Sequence, residues 1–210
     1  MAIANGPDGV PIPLRPRHPA DFDAFYQGTP PWDIGRPQPA FEALAAAGLL
    51  RSRVLDVGCG TGEHTLLAAG RGLAATGIDT APAAIARADA KAADRGLSAR
   101  FLVWNALELV ALGERFDTVL DCGLFHIFTD DDRTRFVEAL GATIVSGGRY
   151  FMLCFNDQVP GATGPRRVSQ YEIRAGFTDG WRVDSVEPAE IEITLGPGAI
   201  PAWLASITRL

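Results

Sequence analysis

The chain has 210 residues, 47% hydrophobic and 21% charged, with a net charge of −6. Length and composition fit one globular domain with a sizeable core and exclude a disordered chain. The acidic balance and the lack of a Lys/Arg block speak against nucleic-acid or anionic-membrane partners, and no apolar run is long enough to span a bilayer.

Residues 1–20 carry Pro7, Pro11, Pro13, Pro16 and Pro19 and read as an extended or mobile arm. The arm has no continuous apolar stretch, so it does not resemble a signal peptide, and His18 in it reads as solvated. Residues 21–210 read as a single domain, without repeats. Phe22, Phe25, Tyr26 and Trp32 then cluster without a strand pattern. A short helix around 21–27 and a loop to Gln38 are expected, forming either a plug on a sheet edge or a lid over a ligand. Pro39 opens a helix to about Ala47, with Phe41 and Leu44 inward and Gly48 as its stop.

The next stretch, VLDVGCGTGEH, organises the chain. Val54, Leu55 and Val57 predict a buried strand at 53–57. Gly58, Gly60 and Gly62 allow a sharp turn and the close approach of a ligand, and a helix of about 62–69 follows. This is the plan of a nucleotide-type site at the carboxyl end of the first strand of an open α/β sheet. A dinucleotide fingerprint would end in Gly or Ala, but here that position is Glu63, and no Gly-Lys-Ser/Thr follows the turn. Carboxylates of Asp56 and Glu63 beside the turn would oppose a pyrophosphate and suit a ligand with ammonium or sulfonium charge. His64 reads as a surface or ligand-adjacent residue. A second strand, 73–79, ends in Asp79, 79 − 62 = 17 residues past the last glycine, where an acid can accept from ribose hydroxyls.

The string LDVGCGTG with an acid one strand later resembles motif I of the class I S-adenosylmethionine-dependent methyltransferases. That resemblance implies a Rossmann-like α/β fold with a seven-stranded sheet in the order 3-2-1-4-5-7-6, the last strand antiparallel, and helices on both faces. It also implies S-adenosyl-L-methionine as cofactor and S-adenosyl-L-homocysteine as product. The methionine part would lie on Asp56, Gly58 and Gly60, and the ribose on Asp79 and Thr80. PPWDIGRPQP is similar to the N-terminal segment of thiopurine and thiol methyltransferases, where an aromatic residue lies against the cofactor. Trp32 matches that residue, and an aromatic face beside a sulfonium gains cation–π attraction, so the lid is the preferred reading.

Helix 82–95 and strand 99–104 come next. The family often has an Asp after this strand, on the adenine amino group; here Asn105 and Ala106 stand there, and Asn can accept from an amino group or donate to a ring nitrogen. A fourth strand, 116–122, leads into GLFHIF. Thr129 and Asp132 form a capping pattern for a helix with Phe136, Val137, Leu140 and Ile144 inward, ended by Gly147 and Gly148. Asp130, Asp131 and Asp132 belong to that helix start, and no metal site is expected.

Asp121 sits where the resemblance places cofactor and substrate side by side. The Asn/Asp-Pro-Pro-aromatic string of enzymes acting on flipped bases is absent there, which disfavours a nucleic-acid substrate. Tyr26, Phe125 and His126 suggest an aromatic acceptor pocket. His126 is either a general base or a histidine that merely hydrogen-bonds in the wall. A fifth strand, about 148–155, precedes a loop with Arg166 and Arg167, which could meet an anionic group of substrate or cofactor. Ser169 and Glu172 predict a capped helix, and strands at about 181–195 and 202–208 end the chain. Cys59, Cys122 and Cys154 lack metal spacing and read as apolar filler in a reducing cytosol.

The motifs together are similar to bacterial thiopurine-like methyltransferases and to mycobacterial methyltransferases of heterocyclic toxins. They imply a small aromatic or heterocyclic acceptor methylated on O, N or S by a cytoplasmic monomer or small homo-oligomer. The rivals are a thiol or halide/thiol methyltransferase, a non-catalytic adenosylmethionine-binding module and an NAD-dependent dehydrogenase.

Overall fold

The computed structural model describes residues 3–5, 11–13, 19–161, 164–196 and 198–210. In the expected arm, β1 (Ile3–Asn5) and β2 (Pro11–Pro13) pair antiparallel. The remainder of the arm to residue 18, including His18, lies outside the described residues. Helix α1 (Pro19–Phe25) starts two residues before the expected position, and α2 spans Pro39–Ala46. Gly48 stops α2 with φ +68° while Leu49 N–H donates to Leu44 O, a closure that a side chain at that φ would strain.

Seven strands form the main sheet, in the order β5-β4-β3-β6-β7-β9-β8. They are β3 (Arg53–Val57), β4 (Ala74–Asp79), β5 (Arg100–Val103), β6 (Phe116–Cys122), β7 (Ile144–Phe155), β8 (Trp181–Glu192) and β9 (Ala199–Arg209). Numbered within the sheet, that is the expected 3-2-1-4-5-7-6, with β9 antiparallel to both neighbours. The crossovers are α3 (Glu63–Gly70), α4 (Pro82–Asp94), a 3₁₀ helix (Ala106–Leu112) and α5 (Asp130–Thr143), while α6 (Gln170–Gly176) precedes β8.

Alternation along β7 shows why both faces must be covered. Tyr150, Met152 and Cys154 join the core under α5 and the 3₁₀ helix, whereas Phe151 and Leu153 join Phe41, Leu44 and Ala68 under α2 and α3. All five β7 side chains are fully buried. Each such aromatic or aliphatic side chain contributes about 1.5–3 kcal/mol.

Two boundaries differ from expectation. Helix α5 ends at Thr143 and β7 begins at once with Ile144, which pairs with Phe116 before a register shift. Gly147 and Gly148 therefore bend the strand and do not end the helix. The 3₁₀ helix after Asn105 was not expected; its short apolar run lacks a full helical period. Among the described residues, no helix is long and apolar enough to cross a membrane.

Candidate active site

The turn after β3 uses its glycines for three different contacts. All three have left-handed φ, +67° at Gly58, +53° at Gly60 and +86° at Gly62. A Cβ on Gly58 would meet Leu124 at 3.3 Å, one on Gly60 would meet Tyr26 Oη at 2.8 Å, and one on Gly62 would meet the Phe101 ring at 2.7 Å. Gly62 thus permits close packing of α3 on the sheet, while Gly58 and Gly60 lie under the loop after β6 and under the N-terminal segment.

Carboxylates end three adjacent strands: Asp56, Asp79 and Asp121. Asp56 is 1% exposed; its Oδ2 accepts from Thr65 N–H (3.1 Å) and Thr65 Oγ1 (2.8 Å), and its Oδ1 has no partner. Burial pushes its pKa up to about 7 although the Thr65 bonds oppose this. Asp79 accepts from Gly60 N–H and Ala81 N–H, both at 2.9 Å, and burial raises its pKa against those bonds. Half-buried Thr80 follows it. Helix α4 has Ala81 at its N-cap without a side-chain bond, so Asp79 itself helps to open that helix.

Glu63 corrects part of the charge argument. It does not face the turn but pairs with Lys91 of α4 (2.7 Å) and with Arg95 at the C-cap of that helix (2.8 Å). Burial works against its ionisation, yet the hydrogen bonds from Arg95 and Lys91 hold its carboxyl below the usual range. The two cations stand four apart, a spacing that could have announced an acidic partner. The carboxylates that remain beside the turn are those of the three aspartates.

Tyr26, expected at the acceptor, lies over the glycine turn and is 4% exposed. Trp32 Nε1 donates to Tyr26 Oη (3.1 Å), and Trp32 packs on Phe25 at 5.0 Å between ring centroids. Asp33, not singled out from sequence, accepts from Thr61 Oγ1 (3.0 Å) and fastens this segment to the turn. His64 is buried and accepts from Gln38 N–H through Nε2 (3.1 Å); burial lowers its pKa to about 4. On the opposite side, Asn105 caps the 3₁₀ helix, its Oδ1 accepting from Leu107 N–H (3.0 Å), and Ala106 is buried. With that oxygen engaged, donation from Nδ2 to a ring nitrogen is the better of its two expected contacts.

The loop after β6 departs most from expectation. Asp121 is wholly buried and accepts from Tyr150 Oη (2.6 Å), Leu124 N–H (2.8 Å) and Phe125 N–H (3.1 Å). Burial raises its pKa to about 7 against those bonds. Its oxygens shape the loop, so direct contact with a cofactor is corrected to a supporting role. Phe125 is also a correction, being 1% exposed beneath Arg133 and Phe177 rather than in a pocket wall. The side chain that reaches the turn is Leu124.

His126 is buried, and its Nδ1 accepts from Phe155 N–H (3.0 Å). The neutral ring then carries its proton on Nε2 and has no free lone pair for a substrate proton. Burial, with Arg133 and Arg167 nearby, lowers its pKa to about 3. The base reading is corrected and the wall reading is the one the geometry supports. Arg166 pairs with Asp130 and Glu172, and Arg167 donates to the carbonyls of Pro165 (2.7 Å) and Pro160 (2.9 Å). Arg166 ties its loop to α5 and α6, and Arg167 holds carbonyls of its own loop.

Comparison with known proteins identifies the family and the fold. Residues 54–148 match the family model described as "Methyltransferase domain". The 2-heptyl-1-hydroxyquinolin-4(1H)-one methyltransferase of Mycobacteroides abscessus is 34% identical over 81% of this chain and 80% of its own. A probable thiol methyltransferase of Arabidopsis thaliana is 27% identical over 81% and 76%. Among solved structures, one described as "Conversion of a Disulfide Bond into a Thioacetal Group during Echinomycin Biosynthesis" superposes with a TM-score of 0.83 at 37% identity, covering 91% of this chain and 93% of that one. An S-adenosylmethionine-dependent methyltransferase from Anabaena variabilis has a TM-score of 0.74 at 15% identity, covering 95% and 98%.

Proposed function

Because the chain belongs to the S-adenosylmethionine-dependent methyltransferases, we propose that it methylates a small aromatic or heterocyclic molecule on an oxygen, nitrogen or sulfur that ionises without help from the protein. The residues present fit the donor. Asp56 Oδ1 is a buried acceptor without a partner, a match for an ammonium group, and Asp79 stands where a ribose would need an acceptor. Thr80 flanks Asp79, while Asn105 and Ala106 border the adenine side. The Tyr26 hydroxyl lies over Gly60 and Trp32 is bonded to it, so this aromatic pair is the candidate partner for a sulfonium, which would gain cation–π attraction.

When bound, the cofactor supplies the electrophilic methyl group. The chain's own task is then to hold two reactants in line and exclude water. Asp121 shapes the loop that brings Leu124 to the turn, and Tyr26 closes the other side.

The observation that carries the choice of acceptor is the engaged Nδ1 of His126. With His126 engaged in this way, an acceptor that reaches its anion on its own suits the site. N-hydroxy-heterocycles and thiols form theirs near neutral pH, since a free thiol has a pKa of about 8.5. The quinolone-named relative supports the heterocycle. A sulfur acceptor is the second reading, favoured by the same engagement of His126 and by the thiol-methyltransferase relative. The expected setting is the cytoplasm, in line with three free cysteines, Cys59, Cys122 and Cys154.

The test is to incubate the enzyme and S-adenosylmethionine with hydroxyquinolones, simple phenols and thiols, and to follow product mass and S-adenosylhomocysteine release. Turnover of hydroxyquinolones above phenols supports the first reading, and thiols alone support the second. Tight donor binding without turnover on any acceptor would mean a binding module.

A further inference from the structure

The N-terminal lid and the last hairpin of the sheet are bonded as one body. Gln38, at the end of the lid, is 2% exposed. Its Nε2 donates to Glu192 O (2.9 Å), and its Oε1 accepts from Glu192 N–H (2.8 Å). The side-chain amide thereby satisfies both main-chain groups of the last residue of β8, as a neighbouring strand would. Arg36 pairs with the Glu192 carboxylate, and Thr194 N–H donates to Pro31 O (2.8 Å). At the opposite end Asp33 accepts from Thr61 of the glycine turn. Two large apolar side chains left exposed belong to this junction, Trp32 at 40% and Leu195 at 58%.

We propose that Gln38 is a positioning residue for methyl transfer: its paired bonds to Glu192 make the lid over the donor and the β8–β9 turn move as one body. The proposal rests on the reading of the glycine turn as the donor site. Parting the two segments would strand the buried Gln38 amide and leave both backbone groups of half-buried Glu192 without these partners. Moving them together strands none. Filling the donor site then also sets the β8–β9 turn, bonded to Pro31 beside Trp32.

Amide hydrogen exchange without ligand tests the clasp. In Gln38→Ala, exchange is expected to speed up in both 29–37 and 190–196, with 53–57 and 116–122 unchanged. Faster exchange in only one of the two segments, or in neither, overturns the proposal. If Gln38→Ala does not fold, Arg36→Ala, which breaks an exposed pair to the same residue, should give the same two-segment pattern at smaller amplitude. A second readout is S-adenosylhomocysteine affinity in a double-mutant cycle. Gln38→Ala should weaken binding about tenfold with Trp32 present and less than about twofold in a Trp32→Ala background. Equal losses in both backgrounds would mean a merely structural role. If S-adenosylhomocysteine does not protect residues 58–62 of the unmodified protein, the reading of the glycine turn as the donor site fails, while the ligand-free exchange comparison still decides on the clasp.

Discussion

Replacing His126 with alanine should cost stability far more than chemistry. The substitution removes the acceptor of Phe155 N–H at 3.0 Å and the ring packed 4.6 Å from that of Phe155. A buried N–H left without a partner costs about 1–3 kcal/mol, and the lost packing adds about 1 kcal/mol or more. For a chain of this size that lowers Tm by roughly 5–12 °C. A general base, in contrast, contributes about 10²–10⁴-fold in rate. Here kcat should fall less than about tenfold, through a looser loop, and by the same factor for a thiol and a phenol acceptor. The pH dependence of stability adds a sign. Burial, with Arg133 and Arg167 nearby, holds His126 at a pKa of about 3, below the 6.5 of a free histidine. Its neutral form therefore stabilises the fold fully above pH 6.5, and this contribution is lost as pH falls towards 3. The stability gap between the native protein and the alanine variant should narrow between about pH 7 and pH 4. Thermal denaturation across pH and kcat on both acceptors read these effects. A drop of a hundredfold or more on the phenol alone, with Tm unchanged, would refute the assignment and restore His126 as a base.

Other substitutions separate the carboxylates. Asp56, raised to about 7 by burial, ionises near neutrality. Affinity for the ammonium-bearing S-adenosylhomocysteine should therefore rise as pH climbs to about 7 and then level, while Asp56→Asn should bind about tenfold more weakly and lose that rise; calorimetry across pH reads both. Without ligand the sign reverses: a folded pKa above 3.8 means that Asp56 stabilises the fold below 3.8 and loses that contribution as pH rises through about 7. Glu63→Gln should lower stability by about 1 kcal/mol, its partners being part-exposed, and leave S-adenosylhomocysteine affinity unchanged; a large affinity change would place Glu63 at the ligand after all. Gly60→Ala should cost about 1–3 kcal/mol for the left-handed φ and displace Tyr26, seen as a lower Tm together with weaker donor binding. A Gly60→Ala protein that melts and binds as the native one does would show that Tyr26 does not cover the turn.

The strands, the glycine turn and the acid at the end of β4 were legible in the sequence, because apolar period, glycine and capping residues act over a few neighbours, whereas the sheet order followed only from the resemblance of LDVGCGTG to the methyltransferase motif. What local pattern could not decide was the partner of each polar side chain. Glu63 looked like a ligand residue until α4 brought Lys91 and Arg95 from 28 and 32 positions away. His126 looked like a base until Phe155, 29 positions on, took its lone pair, and Asp121 looked exposed to the cofactor until Tyr150, also 29 positions on, closed over it. Gln38 carried no signal at all, since its partner Glu192 lies 154 positions away. A buried donor or acceptor must find its complement wherever the packed chain brings one, and that complement sets whether the group can hold a proton or a ligand.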